Sequence, residues 1–432
     1  MNFYDIKNPA QKVSLKEAVL KSISAESGLY MPELIPALSE SFFKNLSNLN
    51  LQEIAFEVSN AMLGDDIPHE ALKKIVNEAI SFPIPLKQID ENLFVQELFH
   101  GPTLAFKDVG ARFMAGLFQY FLRNENREVV ILVATSGDTG SAVANAFYNI
   151  KGVKVVILYP SGKVSELQEK QLTTMGGNIT ALEVEGNFDD CQRMVKQAFA
   201  DKELNQQVNL TSANSINFAR LFPQSFFYFN AIAQLGKQDK PVVISVPSGN
   251  FGNLTSGLIA KRMGLPINQF IAATNRNHVV PDYLKSGEYK PQRTHHTITN
   301  AMDVGDPSNF PRISEIYQKQ QLLMAADIKG FWYTDEQTRS AMAELQEKYA
   351  YQSDPHGAVA YAGLKECGLS KERISIFLET AHPAKFPEEV EKSTHLSVTI
   401  PESLKEIMKL EKKATKIPNS YVSLLQQLKQ VV

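Results

Sequence analysis

An open α/β fold with largely parallel sheets is predicted by three features of this sequence. From residue 93 onward short β-type runs alternate with helical ones. Several of those runs are apolar throughout, as in strands that helices cover on both faces. Three of the strand-to-helix junctions are small, polar and glycine-containing, and such folds bind ligands beyond the carboxyl ends of their strands. The length of 432 residues corresponds to about three domains or one large subdivided one.

Residues 1 to about 82 read as helices and short loops. Ser14 and Glu17 have capping-box spacing ahead of Ala18, Val19 and Leu20. A turn follows at Ser27-Gly28, then an extended piece around Leu29–Pro32. Asn50–Leu63 and Pro68–Ile80 carry apolar residues three and four apart, which predicts amphipathic helices. The proline-punctuated Ser81–Leu86 connection marks a boundary. The predicted strands beyond it are Leu93–Glu97, Val129–Ala134, Val153–Tyr159, Ile179–Val184, Val208–Thr211, Val242–Val246, Phe270–Thr274 and Ile374–Glu379. Helices are predicted between them at Val109–Arg123, Ser141–Ile150, Asp189–Phe199, Gln224–Leu235 and Thr255–Met263. The lysine-rich tail Pro401–Val432 reads as a solvated packing helix.

Composition excludes several function classes. Hydrophobic residues at 44% and charged residues at 21% are globular values, which excludes a disordered chain, a collagen and a coiled-coil rod. A net charge of −3 gives no field that calls for nucleic acid or a membrane surface. Two cysteines support neither a disulfide framework nor a cysteine-rich zinc site, and Cys191 and Cys367 read as ordinary thiols. The opening MNFYDIKNPAQK lacks an apolar signal-peptide core, so a cytoplasmic protein is expected.

The chemistry is expected at three junctions. Val242–Val246 runs into Ser248-Gly249-Asn250-Phe251-Gly252-Asn253, where glycines and an opening helix offer free N–H groups to an anion. It is neither a Walker loop nor GxGxxG, and spacing alone leaves an anion site and a plain strand–turn–helix both open. Ser136-Gly137-Asp138-Thr139-Gly140 follows Val129–Ala134 as a second cradle, with simple N-capping as the alternative. Two such cradles point to a ligand with two anionic ends, or to a cofactor plus a substrate. In His100–Asp108, Lys107 stands between Phe106 and an apolar helix. A lysine in an apolar setting loses its proton and becomes a nucleophile for a carbonyl cofactor, whereas an ordinary solvated lysine does not.

The segments GPTLAFKD, TSGDTGSA, PSGNFGN and LETAHPAKF, in this order and spacing, resemble the threonine synthase family, specifically its longer-chain class. The resemblance extends over essentially the whole chain, including Ser27–Tyr30. It implies a two-lobe, open-sheet α/β core of the tryptophan-synthase-β type that depends on pyridoxal phosphate, with a helical N-terminal extension. The expected divisions are 1–82 for the N-terminal domain, 83–395 for the catalytic core and 396–432 for a helical tail. The implied reaction converts O-phospho-L-homoserine and water into L-threonine and phosphate, a lyase reaction that ends threonine biosynthesis. The alternatives are another enzyme of this fold, such as a serine/threonine dehydratase or a β-replacement synthase, and a non-catalytic phospho-ligand binder.

The same resemblance assigns residues. Lys107 would be the catalytic residue and carry the cofactor as a Schiff base. Ser248, Gly249, Asn250, Phe251, Gly252 and Asn253 would hold the cofactor phosphate, and Thr380 would face the pyridine nitrogen. Ser136, Gly137, Asp138, Thr139 and Gly140 would receive the substrate's α-carboxylate. Asn217 and Arg220 would meet the substrate phosphate, with Asn214 a weaker candidate. The partner is a small-molecule substrate, with no nucleic acid or membrane, and longer threonine synthases resemble monomers. No metal is expected: His295-His296 has no third ligand at metal spacing. His356 reads as a turn residue that borders the site or not, and His382 and Lys385 as loop residues that approach the cofactor or not. Asp303 and Asp306 belong to a family loop without a derived role. Phe226-Phe227-Tyr228-Phe229 reads as core.

Overall fold

The computed structural model describes residues 1–24, 26–125 and 128–431, so Val432 of the expected tail lies outside the described residues. The chain forms two compact units, one of Met1, 32–106 and 221–399, the other of 2–31, 107–220 and 400–432.

The first unit is built on a six-stranded sheet in the order Ile328–Trp332, Gln269–Thr274, Val242–Pro247, Ile374–Glu379, Leu93–Glu97, Leu86–Asp90. Every adjacent pair is parallel except Leu86–Asp90 against Leu93–Glu97. Val242–Pro247 and Ile374–Glu379 are buried along their whole length, as central strands covered on both faces must be. Helix Pro355–Glu366 packs on them, and Asp335–Tyr349 packs on that helix. The N-terminal helices Leu51–Leu63 and His69–Ala79 pack against each other, the first starting from a complete capping box of Asn50 and Glu53. The run Phe226–Phe229 is fully buried, as expected of core.

The second unit holds a five-stranded parallel sheet in the order Thr415–Pro418, Ile179–Glu185, Val153–Pro160, Val129–Ala134, Leu210–Thr211. Its core joins these strands to helices Phe188–Ala200 and Tyr421–Val431 through Leu132, Val156, Met194, Leu424 and Leu428. Cys191 lies in this core, and burial pushes its thiol up to about 12.

The differences from expectation have local causes. A small sheet of Lys12–Ser14, Asn2–Asp5 and Tyr30–Pro32 accompanies the helices of the first 82 residues. Ser14 does accept from the Glu17 N–H, but the Glu17 carboxylate turns to Lys21, so the box is half formed. The strand expected at Val208–Thr211 is only Leu210–Thr211, because the Val208 N–H closes helix Lys202–Gln207 onto Leu204. The helices after the three junctions begin earlier than expected, at Lys107, Asp138 and Gly252. In the two larger sheets the unanticipated strands, Leu86–Asp90, Ile328–Trp332 and Thr415–Pro418, are all edges where exposure admits lysine.

Each sheet reverses its winding once. In the first, strands 269–274 and 328–332 are added on one side of 242–247, and 374–379 on the other. In the second, strands 153–160 and 179–185 lie on one side of 129–134, and 210–211 on the other. Crevices at the carboxyl ends of such diverging strands are where open α/β sheets bind ligands.

Candidate active site

The reversal in the second unit brings together the loops after Val129–Ala134 and Leu210–Thr211. Gly137 precedes the helix Asp138–Phe147 with φ 133°, and a Cβ there would sit 2.6 Å from the Gln168 side chain, so only glycine fits. The Thr135 hydroxyl closes the loop by accepting from the N–H groups of Gly137 at 3.0 Å and Gly140 at 2.8 Å. Asp138 is buried, and its carboxylate accepts from the Gln168 amide at 3.0 Å. On its other oxygen stands the Lys107 Nζ at 3.8 Å, with the lysine side chain 17% exposed. The apolar setting expected for Lys107 is therefore corrected: its amine faces a carboxylate. Gln168 was not singled out by the sequence; the spacing Ser165-x-x-Gln168 announces a capping box, and the box is complete, but spacing does not reveal the bond to Asp138.

Arg220 and Asn217 come to the same end of the sheet, turned inward. The buried Arg220 donates from Nε to the Ala213 carbonyl at 3.1 Å and from Nη1 to the Lys107 carbonyl. Burial lowers its guanidinium to about 10, opposed by the charge of Asp108, so it stays cationic at neutral pH. Asn217 donates its amide to the Val19 and Ser212 carbonyls at 2.8 and 3.3 Å and accepts from the Ala219 N–H at 3.0 Å. The Asn217 side chain thus shapes the turn that presents Arg220. Asn214 caps that turn by accepting from the Asn217 N–H through its carbonyl.

The reversal in the first unit sets Ser248–Asn253, after one strand, beside Thr380, after its neighbour. Gly249 must be glycine, since a Cβ would lie 2.7 Å from the Met302 Cα and 3.0 Å from the Ala301 carbonyl oxygen. Phe251 adopts a left-handed conformation at φ 60°, ψ 16° as the helix Gly252–Arg262 begins. Among the described residues no group accepts from the backbone N–H of Gly249, Asn250, Phe251, Gly252 or Asn253. The side chains of Ser248 and Asn253 are spent on the loop itself, donating to the Val246 and Pro247 carbonyls at 2.9 and 2.7 Å. Backbone N–H groups, more than side chains, are what this loop offers, and a phosphate monoester fits that donor set. Thr380 is 6% exposed, and its hydroxyl has no partner among the described residues, which suits a pyridine nitrogen.

Behind Thr380 lies a buried polar chain that the sequence did not disclose. The Glu379 carboxyl accepts from the Ser353 hydroxyl at 2.8 Å and the Asp354 N–H at 2.5 Å. Burial and the nearby Asp354 hold Glu379 well above the usual carboxylate range. Asp354 caps helix Pro355–Glu366 and meets the His356 Nδ1 at 2.6 Å, while the His356 Nε2 accepts from the Ala301 N–H at 3.3 Å. Asp303 accepts from Thr297 and Asn275, yet burial raises it to about 7. Burial, then the proximity of His100, lowers His382, so it is neutral at pH 7. Asp306 accepts from the Tyr289 hydroxyl at the surface. His295 and His296 lie beside Asn277 and Asp303, and among the described residues no group of three or more potential ligands forms a metal site.

Comparison with known proteins shows the family. Residues 79–378 match the family of pyridoxal-phosphate dependent enzymes, residues 2–80 the threonine synthase N terminus, and residues 357–432 the threonine synthase C-terminal region. The threonine synthase of Haemophilus influenzae is 45% identical over 425 residues, covering 98% of each chain. The chain belongs to the threonine synthase family. Within that family, the crystal structure of threonine synthase from Escherichia coli superposes with a TM-score of 0.94 at 43% identity, covering 100% of both chains. A pyridoxal-phosphate-bound threonine synthase from Brucella melitensis gives 0.92 at 33% identity, covering 100% of this chain and 99% of the other.

Proposed function

We propose that this member of the threonine synthase family converts O-phospho-L-homoserine and water into L-threonine and phosphate, with pyridoxal phosphate as cofactor. The observation that carries the reading is the full-length likeness to threonine synthases, 45% identical over 98% of both chains. The open donors of residues 249–253 and the unpartnered hydroxyl of Thr380 support it independently. In this reading the cofactor phosphate takes the N–H groups of Gly249–Asn253, while Ser248, whose N–H donates to the Ala273 carbonyl at 2.8 Å, only shapes the loop, and Lys107 holds the cofactor's carbonyl carbon. Thr380 offers a neutral hydroxyl to the ring nitrogen, which does not enforce a protonated ring as a carboxylate would. Bound there, the cofactor supplies an electron sink for proton loss beside the substrate amine.

The chain's own groups do the rest. Lys107, released when substrate binds, is the base that takes the α-proton and a β-proton in turn; protons return at the γ-carbon after phosphate has left and at the α-carbon after water has placed its hydroxyl on the β-carbon, the water's remaining proton going to the released phosphate. Asp138, 3.8 Å from Nζ, provides the counter-charge for the protonated lysine. The Ser136–Thr139 turn receives the substrate's α-carboxylate through donors other than the Gly137 N–H, which the Thr135 hydroxyl accepts. Arg220 is the proposed cation for the departing phosphate, and the same guanidinium holds the Lys107 carbonyl, which links substrate recognition to lysine placement. We further infer a cytoplasmic monomer that works on a small molecule without nucleic acid or membrane, as the net charge of −3 permits. Among the described residues no helix is long and apolar enough to cross a membrane.

Borohydride treatment followed by peptide mass mapping is expected to place the cofactor on Lys107. Phosphate and threonine should appear one for one from O-phosphohomoserine. Release of ammonia and a 2-oxo acid instead would make the protein a dehydratase, and labelling of any other lysine would overturn the Lys107 assignment.

A further inference from the structure

Arg312 is among the largest fully buried side chains, at 0% exposure, in a helix that runs Phe310–Ile316. A guanidinium is seldom buried unless its bonds are needed, because desolvation is costly. Burial holds it down at about 9, still cationic at neutral pH. From Nη1 it donates to the Asn309 side-chain oxygen at 2.8 Å. Asn309, itself fully buried, sends both its backbone N–H, at 3.3 Å, and its amide nitrogen, at 3.1 Å, to the Asn250 carbonyl. The preceding Ser308 N–H donates to the Asn250 side-chain oxygen at 3.2 Å.

This arrangement admits one orientation of the Asn309 amide. Arginine has only donors and a carbonyl only accepts, so the amide oxygen must face Arg312 and the amide nitrogen must face Asn250. With the Asn250 carbonyl fixed toward Asn309, the N–H of Phe251 in the same trans peptide plane points the opposite way. That N–H belongs to the left-handed Phe251 and is one of the five open donors of the loop. Left-handed geometry at a phenylalanine persists only where its surroundings hold it.

We propose that Arg312, acting through Asn309, is a positioning residue that fixes the Asn250–Phe251 peptide so that the Phe251 N–H faces the cofactor phosphate. The inference rests on the reading of Ser248–Asn253 as the phosphate loop. Arg312 does not touch the phosphate. Its contribution is to pre-set the loop, so its loss should weaken recognition of the phosphate and leave the rest of the cofactor's binding nearly intact.

The test compares two probes on cofactor-depleted full-length protein, pyridoxal phosphate and phosphate-free pyridoxal, each followed by its visible absorption. For Arg312→Met we expect the affinity for pyridoxal phosphate to fall about tenfold or more, while that for pyridoxal changes less than about threefold. Arg312→Lys, which can still donate to Asn309, should recover part of the loss. Asn309→Ala should reproduce the Arg312→Met effect, and the double variant should add little to either. Should Arg312→Met not fold, Asn309→Ala alone decides. Equal weakening of both probes, or no weakening of pyridoxal phosphate, overturns the proposal. Gly249→Ala separates the two levels. If it also leaves the ratio of the two affinities unchanged, the phosphate-loop reading has failed; if it lowers the ratio and the Arg312 and Asn309 variants do not, only the relay has.

Discussion

Asp303 offers the sharpest test of the electrostatics in the first unit. Its carboxyl is 7% exposed, accepts from the Thr297 N–H at 3.0 Å, the Thr297 hydroxyl at 2.7 Å and the Asn275 amide at 2.8 Å, and is nevertheless raised to about 7. Desolvation of the charged form is the largest influence, and the hydrogen bonds only partly offset it. A carboxyl whose folded value exceeds its unfolded one binds its proton more tightly when folded. Its contribution to stability is therefore fully present below about pH 4 and is lost as pH rises through about 7.

The size follows from the rise from 3.8 to about 7, which at about 1.36 kcal/mol per pH unit is about 4 kcal/mol in all. About 2.5 kcal/mol of it falls between pH 5 and pH 8. Asp303→Asn removes this dependence. Its amide nitrogen would face the Thr297 N–H, a penalty of about 1 kcal/mol that does not vary with pH. The variant should thus melt below the parent at pH 5 and gain on it steadily, with the gap in melting temperature moving by about 3–5 °C in the variant's favour by pH 8. The assay is thermal unfolding of both proteins across that range at constant ionic strength. Parallel curves would refute the reasoning, since they would mean that Asp303 titrates where an exposed aspartate does.

The remaining predictions concern packing and the lysine. Gly357→Ala would put a Cβ 1.7 Å from the Glu379 Oε2, displacing the carboxyl from Ser353 and Asp354; we expect a loss of about 3–5 kcal/mol in urea unfolding, and a loss under 1 kcal/mol would contradict the buried chain. Phe377→Ala removes a fully buried ring that meets Tyr361 at 5.8 Å and Tyr351 at 6.2 Å, for about 3–5 kcal/mol in the same assay. Lys107→Ala should lower phosphate release by at least about a thousandfold. Arg220→Met should raise KM for O-phosphohomoserine and also lower kcat, together about a hundredfold in kcat/KM, because the guanidinium also braces the Lys107 carbonyl. A change in KM alone would reduce Arg220 to substrate binding.

What the sequence disclosed follows from what pattern encodes. Central strands such as Val129–Ala134 and Ile374–Glu379 were legible because two-sided burial forces an unbroken apolar run. Edge strands such as Ile328–Trp332, with Lys329 and Gly330, resemble loops because one side meets solvent. The junction glycines were legible because few residues tolerate φ 133° or the approach of another backbone to 2.7 Å. Gln168, Asn309 and Glu379 were not, because each meets a partner far along the chain, and no local spacing records which carboxylate or carbonyl a buried amide will meet; Arg312 meets Asn309 only three residues away, but what that pair holds is the distant Asn250 carbonyl. Arg220 was assigned by the family resemblance, and its bond to the Lys107 carbonyl emerged only from the fold.

This contrast bears on how the recognisable segments should be understood. GPTLAFKD and LETAHPAKF read as two patches of site chemistry, but much of each is occupied with the other. The Phe106 N–H donates to the Thr380 carbonyl at 2.9 Å, and the His382 N–H to the Leu104 carbonyl at 3.0 Å. The fully buried Lys385 donates to the Thr103 carbonyl at 2.9 Å. Leu104 takes a left-handed φ of 56° within this lacing, a conformation that an isolated leucine avoids. His382 accepts from the Ala384 N–H on Nδ1, so that nitrogen serves the turn. The residue immediately before Lys107 is thereby tied to the backbone of Thr380, whose hydroxyl is left open. The bonds of Lys385 and of the His382 backbone hold that registry. On this argument Lys385→Met should move the Lys107 segment and slow turnover, whereas its effect on the pH profile should be nil; a displaced pH optimum would instead make Lys385 a proton carrier.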